Sequence, residues 1–468
     1  MTNQTKTLVF VTLVSLISAM GGFLFGYETV VIAGTIAPVA AEFGLSTVME
    51  GWFVSSGLVG CMLGVVIASV AADRYGRKRV LVASGVLLTI ASVGCAISPD
   101  TTWLVTLRIV GGVGVGLASI VSPLYISEVS PPELRGRLVS VFQLTITIGI
   151  VAAMITNALL QEHAMSVPHA SDKSLVDHLF VSHVWRGMFA LQAIPSVLFT
   201  VLSMAVPDSP RWLVVVGRRA LATEVLRRLR GDEQSVATEL ESIQESISAG
   251  DRATGSVWAP AQRRALRIGV FLTVFSELSG ITIVMYYGPT ILTRLGLSSS
   301  GALDGHAVIG MVLALCTLLA VWLVDKLGRR KLLMTGVFGA MLSLLGAGIA
   351  LQVGEMQGYA VLALLCSFVA FFAFSIGPIK WIVISEIFPT RIRARAMSIA
   401  TVALWATDAC INFLFPEIRD RLGVSAMFFM CAALLAIQLF VVWRALPETK
   451  GMTLEAIEGL WKRPGDAK

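Results

Sequence analysis

DRYGRKR at residues 73–79 returns as DKLGRRK at residues 325–331. Each copy is a short charged turn with about twenty apolar residues on either side. A helix needs about 20 apolar residues to cross about 30 Å of hydrocarbon, so each copy reads as a hairpin between two membrane spans. A second pair repeats in step: SEVSPPELRGR at 127–137 and SEIFPTRIRAR at 385–395. A third is PDSP at 207–210 and PETK at 447–450. The spacing is near half of the 468 residues. The chain therefore reads as two parallel halves of similar architecture.

Composition agrees. Hydrophobic residues make up 56% and charged ones only 14%, with mean hydropathy +0.80. A soluble domain carries about 25% charged residues, which excludes a water-soluble enzyme. Twelve apolar stretches stand out: 8–28, 52–72, 80–97, 103–125, 138–160, 184–206, 267–293, 303–324, 332–353, 358–384, 397–416 and 424–445. They are continuous rather than alternating, which excludes a β-barrel. The expected fold is an all-α membrane protein of twelve transmembrane helices in two six-helix halves. The first half is expected at 1–206, a linker with short helices at 207–266, the second half at 267–446 and a tail at 447–468. The first apolar stretch is too long for a cleavable leader and is read as a span.

Lys and Arg orient the spans, because basic residues collect in cytoplasmic loops. With both termini in the cytoplasm, the inner segments hold 29 of the 36 basic residues. The outer segments hold only Lys173, Arg186, Arg294, Arg419 and Arg421. The net charge of +6 is thus a topology signal, and no nucleic-acid partner is expected. The implied location is a plasma membrane (a bacterial inner membrane), and a monomer is expected. The six cysteines lie in apolar stretches without CxxC spacing and read as packing residues. The five histidines are read as polar residues of outer loops. No metal site and no cofactor is expected.

The nine stretches GGFLFGYETVVIAG (21–34), DRYGRKR (73–79), RIVGGVGVG (108–116), YISEVSPPELRGR (125–137), PDSPRWL (207–213), YYGP (286–289), DKLGRRK (325–331), SEIFPTRIRAR (385–395) and PETKGMTLE (447–455) together resemble the sugar porter branch of the major facilitator superfamily. The resemblance covers nearly the whole chain. It includes bacterial proton-coupled sugar importers and facilitative glucose transporters. It implies alternating access, in which one half rocks against the other around a midplane site.

The paired loops carry acids and bases together: Asp73, Arg77, Glu128 and Arg135 in the first half, Asp325, Arg329, Glu386 and Arg393 in the second. Opposite charges at helix ends can pair between neighbouring helices and latch a cytoplasmic gate. Topology anchoring alone is the simpler alternative.

Five charged residues fall inside spans: Glu28, Arg108, Glu277, Lys380 and Asp408. Charges at mid-bilayer cost about 2.5–3.5 kcal/mol on insertion scales and mark functional positions by default. Proton importers of the resembled family carry an acid at the position of Glu28, where uniporters have Asn. Arg108 matches the arginine that pairs with that acid. Burial disfavours a charged carboxylate and a nearby Arg favours it, so moving one against the other would load and release a proton. A static ion pair is the alternative.

For the solute, the resemblance implies Gln143, Tyr286, Tyr287, Trp381 and Trp405. Here the chain departs from the pattern. The usual amide-rich motif of span 7 reads SELSGIT at 276–282, placing Ser276, Glu277 and Thr282 where amides are common. Lys380 and Asp408 also stand at normally neutral positions. Amides suit a neutral sugar because each hydroxyl both donates and accepts. Two readings stay open: Lys380 neutralises Glu277 or Asp408 internally, or the charges face a charged solute. The function expected is proton-coupled import of a sugar, sugar-like or polyol solute, including a charged derivative. A proton-driven exporter of a small metabolite or drug is the alternative. A membrane enzyme is disfavoured, because the spans hold no nucleophile–His–acid set.

Overall fold

The computed structural model describes residues 3–167, 174–250, 260–353, 358–388, 392–448 and 450. Among them all regular structure is helical. The helices are α1 (Asn3–Val31), α2 (Ile36–Phe43), α3 (Thr47–Tyr75), α4 (Arg77–Ala96), α5 (Thr101–Val129), α6 (Pro132–Ser166), the single turn α7 (Leu175–Asp177) and α8 (Val184–Ala205). The linker forms α9 (Pro210–Val215), α10 (Arg219–Arg230) and α11 (Glu233–Gly250). Then follow α12 (Pro260–Leu278), α13 (Ile281–Arg294), α14 (Ser299–Leu327), α15 (Arg329–Val353), α16 (Gly358–Phe371), α17 (Gly377–Ile387) and α18 (Arg393–Ala445).

Eleven helical stretches among the described residues are long and apolar enough to cross a membrane. The last, Arg395–Ala445, has 51 residues. At 1.5 Å per residue it would run about 75 Å, far beyond one bilayer. It breaks at Gly423, whose φ of 82° is non-helical. Each arm exceeds the about 20 residues a crossing needs, so this stretch holds both the eleventh and the twelfth expected spans.

The described residues separate into two compact units. The first comprises the residues up to Ile32 together with 56–250. The second comprises 33–55 together with those from 260 onward. Helix α3 thus contributes its first turns to the second unit and the rest to the first.

Small residues set the packing inside the first unit. A Cβ on Gly60 or Gly64 of α3 would collide with the backbone of α5 at Ile109 and Val113. A Cβ on Gly112 or Gly116 of α5 would collide with α3 at Gly57 and Cys61. The glycines of RIVGGVGVG are therefore spacing residues that let two backbones touch, as membrane helices prefer where lipid offers no hydrophobic drive. On the other side of the unit, Ala19, Ile126, Phe142 and Ile146 form an apolar cluster joining α1, α5 and α6.

The linker folds for a different reason. Ser209 caps α9 by accepting from the Trp212 N–H, and Pro210 begins the helix with a preset φ. Helix α10 is polar overall but buries Ala222, Leu226 and Leu229; Ala222 and Leu226 meet Trp212, Leu213, Val236 and Leu240. Gly231 ends it with φ 82°, a left-handed value that glycine tolerates.

All six cysteines are free. One sequence expectation needs correction: His306 is not a loop residue. It lies in α14, fully buried, against Gly288 of α13.

Candidate functional site

In the first unit, α1 delivers Glu28, α5 delivers Arg108 and α8 delivers Gln192. All three are buried. Arg108 Nη1 lies 3.0 Å from Glu28 Oε1, and Gln192 Nε2 donates to Glu28 Oε2. The guanidinium also faces the Phe189 ring, 6.0 Å from its centroid. Two glycines make room. A Cβ on Gly57 would come within 2.8 Å of Arg108 Nη2, and one on Gly111 within 3.1 Å of Glu28 Oε1. The expected partners therefore meet. Sequence reasoning missed Gln192, although a lone amide in an apolar span was a usable signal. Gln143 lies on α6 with its side chain exposed and is not part of this cluster.

The second unit carries the altered amide set. Lys380 Nζ lies 2.6 Å from Glu277 Oε1 and donates to Ser276 Oγ at 2.9 Å. The ammonium also faces the rings of Trp381 and Phe372, 5.7 and 5.9 Å from their centroids. Of the two readings left open for Lys380, the geometry shows the internal pair with Glu277. Asp408 is held otherwise: Asn412 Nδ2 donates to its Oδ1 at 2.7 Å and to Thr282 Oγ1 at 3.2 Å. Tyr287 donates to the Asn412 carbonyl at 3.0 Å and packs on Phe415. Tyr286 and Trp405 are buried nearby in sequence, and Trp381 is half-buried. Asn412 is the second amide that sequence reasoning overlooked.

Local backbone breaks position these groups. Helices α12 and α13 are separated at Ser279 and Gly280, between Glu277 and Thr282. Gly280 has φ 90°. Discontinuous helices of this kind bring backbone and polar side chains together at the midplane of transporters. A π-helical turn, Phe372–Ile376, precedes Lys380 in the same span; such turns are frequent at functional sites. Gly280→Ala is expected to lower stability by at least the about 1–2 kcal/mol of a left-handed L-residue. Its Cβ also lies only 2.9 Å from Cys431 Sγ. Gly44→Ala, at φ 62° with open space around it, isolates the backbone part. Thermal melting in detergent should therefore show a larger loss at Gly280 than at Gly44.

The repeated motifs build matching pairs, one within each unit. Arg77 binds Glu128 at 3.0 Å and Asp73 at 3.3 Å in the first unit. Arg329 binds Glu386 at 3.2 Å in the second. Ser209 of PDSP donates to Glu128, whereas Glu448 of PETK accepts from the backbone N–H groups of Arg329 and Arg330 at the start of α15. Arg135 is exposed. The side chains of Asp325 and Arg393 lie outside the described residues.

The far end of the second unit holds a cluster that the sequence did not reveal. Glu50, at the start of α3, receives both terminal nitrogens of Arg419, at 2.6 and 3.0 Å. Arg419 also binds Asp420 at 2.8 Å, and Asp420 accepts from Thr47. Arg419 had been read only as an outer-loop charge. Removing one partner of a buried pair typically costs about 3–5 kcal/mol, and here Asp420 retains part of the compensation. Glu50→Ala is thus expected to lower the melting temperature, and Glu50→Ala with Arg419→Ala to recover part of the loss.

Comparison with known proteins settles the family. Residues 14–461 match the model of the sugar (and other) transporter family. The chain belongs to that family. The transporter is 35% identical over 459 residues to the arabinose-proton symporter of Bacillus subtilis, covering 98% of this chain and 96% of that one. It is 34% identical to the D-xylose-proton symporter of Escherichia coli over 484 residues, covering 96% and 95%. It is also 34% identical to the major myo-inositol transporter of Bacillus subtilis, covering 98% and 96%. Its structure resembles the inward-open xylose transporter of Escherichia coli, with TM-score 0.83, 31% identity and coverage of 97% and 100%. The major facilitator fold and a multi-pass membrane protein follow.

Proposed function

We propose that this transporter carries a sugar or sugar-like polyol inward together with a proton, by alternating access. The observation that carries the reading is the buried Glu28–Arg108–Gln192 cluster in a chain whose relatives are named arabinose-, xylose- and inositol-carrying proteins. Glu28 is the proton carrier. Arg108 competes with the proton for the carboxylate, and Gln192 fixes the carboxylate plane. The symporter names among the relatives favour import over an antiporting exporter.

The solute faces the cluster of Ser276, Glu277, Thr282, Lys380, Asp408 and Asn412, with aromatic contacts from Tyr286, Tyr287, Trp381 and Trp405; Gln143 is a separate contact carried by the first unit. Because Glu277 neutralises Lys380, the reading favours an uncharged polyol over a charged derivative. The Arg77–Glu128 and Arg329–Glu386 pairs act as inner latches, with Asp73 supporting the first. The termini are cytoplasmic, the membrane is a bacterial inner membrane, and the working unit is a monomer.

Uptake of arabinose, xylose and myo-inositol by cells expressing the protein, with and without a protonophore, tests this. Accumulation that the protonophore abolishes supports the reading. Outward movement of solute driven by an inward proton gradient overturns it.

A further inference from the structure

A cleft of about 780 Å³ lies within the first unit, between the α5–α6 turn and helix α11. Three acids and three arginines border it, and their charges do not balance once pairings are counted. Glu128 is taken by Arg77 and Ser209. Glu239 forms a two-point pair with Arg230. Asp232 caps α11 by accepting from the Ser235 N–H, which holds its carboxyl below the usual carboxylate range. Arg135 and Arg211 remain, both lining the cleft, and neither side chain forms an ion pair or hydrogen bond among the described residues. The rest of the wall is largely hydroxyl and amide: Ser127, Gln234, Ser235, Thr238 and Ser242.

We propose that this cleft binds a phosphorylated sugar or polyol, with Arg135 and Arg211 on the phosphate and the hydroxyl-bearing wall on the polyol. Arginine matches phosphate oxygens with two parallel donors. The volume falls within the about 300–1,000 Å³ of small-molecule sites. Leu124, Pro131, Pro132 and Ile243 are the apolar residues on the wall, beside the polar and charged ones. The same cleft borders Glu128, so an occupant touches the inner end of α5 beside the Arg77 pair. This site thereby senses the phosphorylated form that a kinase reaction makes from the imported solute, and it slows further uptake. The regulatory part rests on the proposed import activity; the binding part does not.

The purified full chain is tested by thermal shift and calorimetry with glucose 6-phosphate, inorganic phosphate, sulfate, glucose and vesicles of phosphatidylglycerol. Glucose 6-phosphate is expected to stabilise the protein most, phosphate less, and glucose not at all. Arg211→Ala is expected to weaken glucose 6-phosphate binding about tenfold, the worth of one charge-assisted contact. Arg211→Lys should recover part of it, with the melting temperature of the unliganded protein unchanged. Equal binding by the Arg211→Ala protein, equal response to sulfate, or displacement by phosphatidylglycerol vesicles instead would each overturn the proposal. In vesicles loaded with glucose 6-phosphate, uptake of the transported solute should slow in the unaltered protein and not in Arg211→Ala. Absence of any uptake would count against the import reading, and leaves the binding result to decide the site.

Discussion

A transporter carrying Glu28→Gln is expected to equilibrate its solute across the membrane and to lose all accumulation. Moving one elementary charge through about 100 mV supplies about 2.3 kcal/mol. Every 1.4 kcal/mol is a factor of ten, so one coupled proton supports a gradient of about fifty-fold. Glutamine keeps the length of the side chain and one acceptor oxygen, but it carries no proton to exchange. The ratio of inside to outside solute should therefore fall from about fifty towards one, while exchange of labelled against unlabelled solute continues. Arg108 is left buried without its 3.0 Å partner, so a lower melting temperature should accompany the loss. Uptake and counterflow in the same proteoliposomes separate the two functions. Uphill uptake by the Glu28→Gln protein contradicts the assignment.

The second large effect is expected at the Lys380–Glu277 pair. Both side chains are buried and their charged atoms are 2.6 Å apart. Taking away one partner strands a charge at a cost of about 3–5 kcal/mol, whereas replacing both with neutral groups is often neutral or stabilising. Lys380→Met and Glu277→Gln should each lower the melting temperature strongly. The double variant should regain most of it, so the two losses are far from additive. If the charges instead served separate contacts with the solute, the double variant would lose about the sum of the two. Solute affinity read on the same proteins shows whether the pair also touches cargo: the single Glu277→Gln then raises the KM while the double variant does not restore it.

The spans and the two halves were legible because each rests on a long, repeated signal. Twenty apolar residues in a row, and a loop motif that comes twice, survive any local irregularity. Glu28 and Arg108 were legible because charges in apolar helices are scarce and costly. Gln192 and Asn412 were not, since a neutral amide disturbs hydropathy too little to stand out, yet both complete the polar clusters. The Glu50–Arg419 contact joins residues far apart in sequence, and neither breaks an apolar run. Loop position accounts for a basic residue at 419, but not for its pairing with Glu50. The breaks at Gly280 and Gly423 depend on positive φ, which many glycines in membrane helices do not adopt; most serve close packing, as Gly60 and Gly112 do. His306 reads as a loop residue in the sequence, yet it sits about two turns inside α14.

Proton movement itself tests the account most directly. Arabinose, xylose or myo-inositol is added to de-energised proteoliposomes in weak buffer, and the external pH is followed. The account predicts alkalinisation on adding a transported solute, abolished by a protonophore and absent in the Glu28→Gln protein. Solute entry without a pH change in the unaltered protein, or an undiminished change with Gln at position 28, would contradict it.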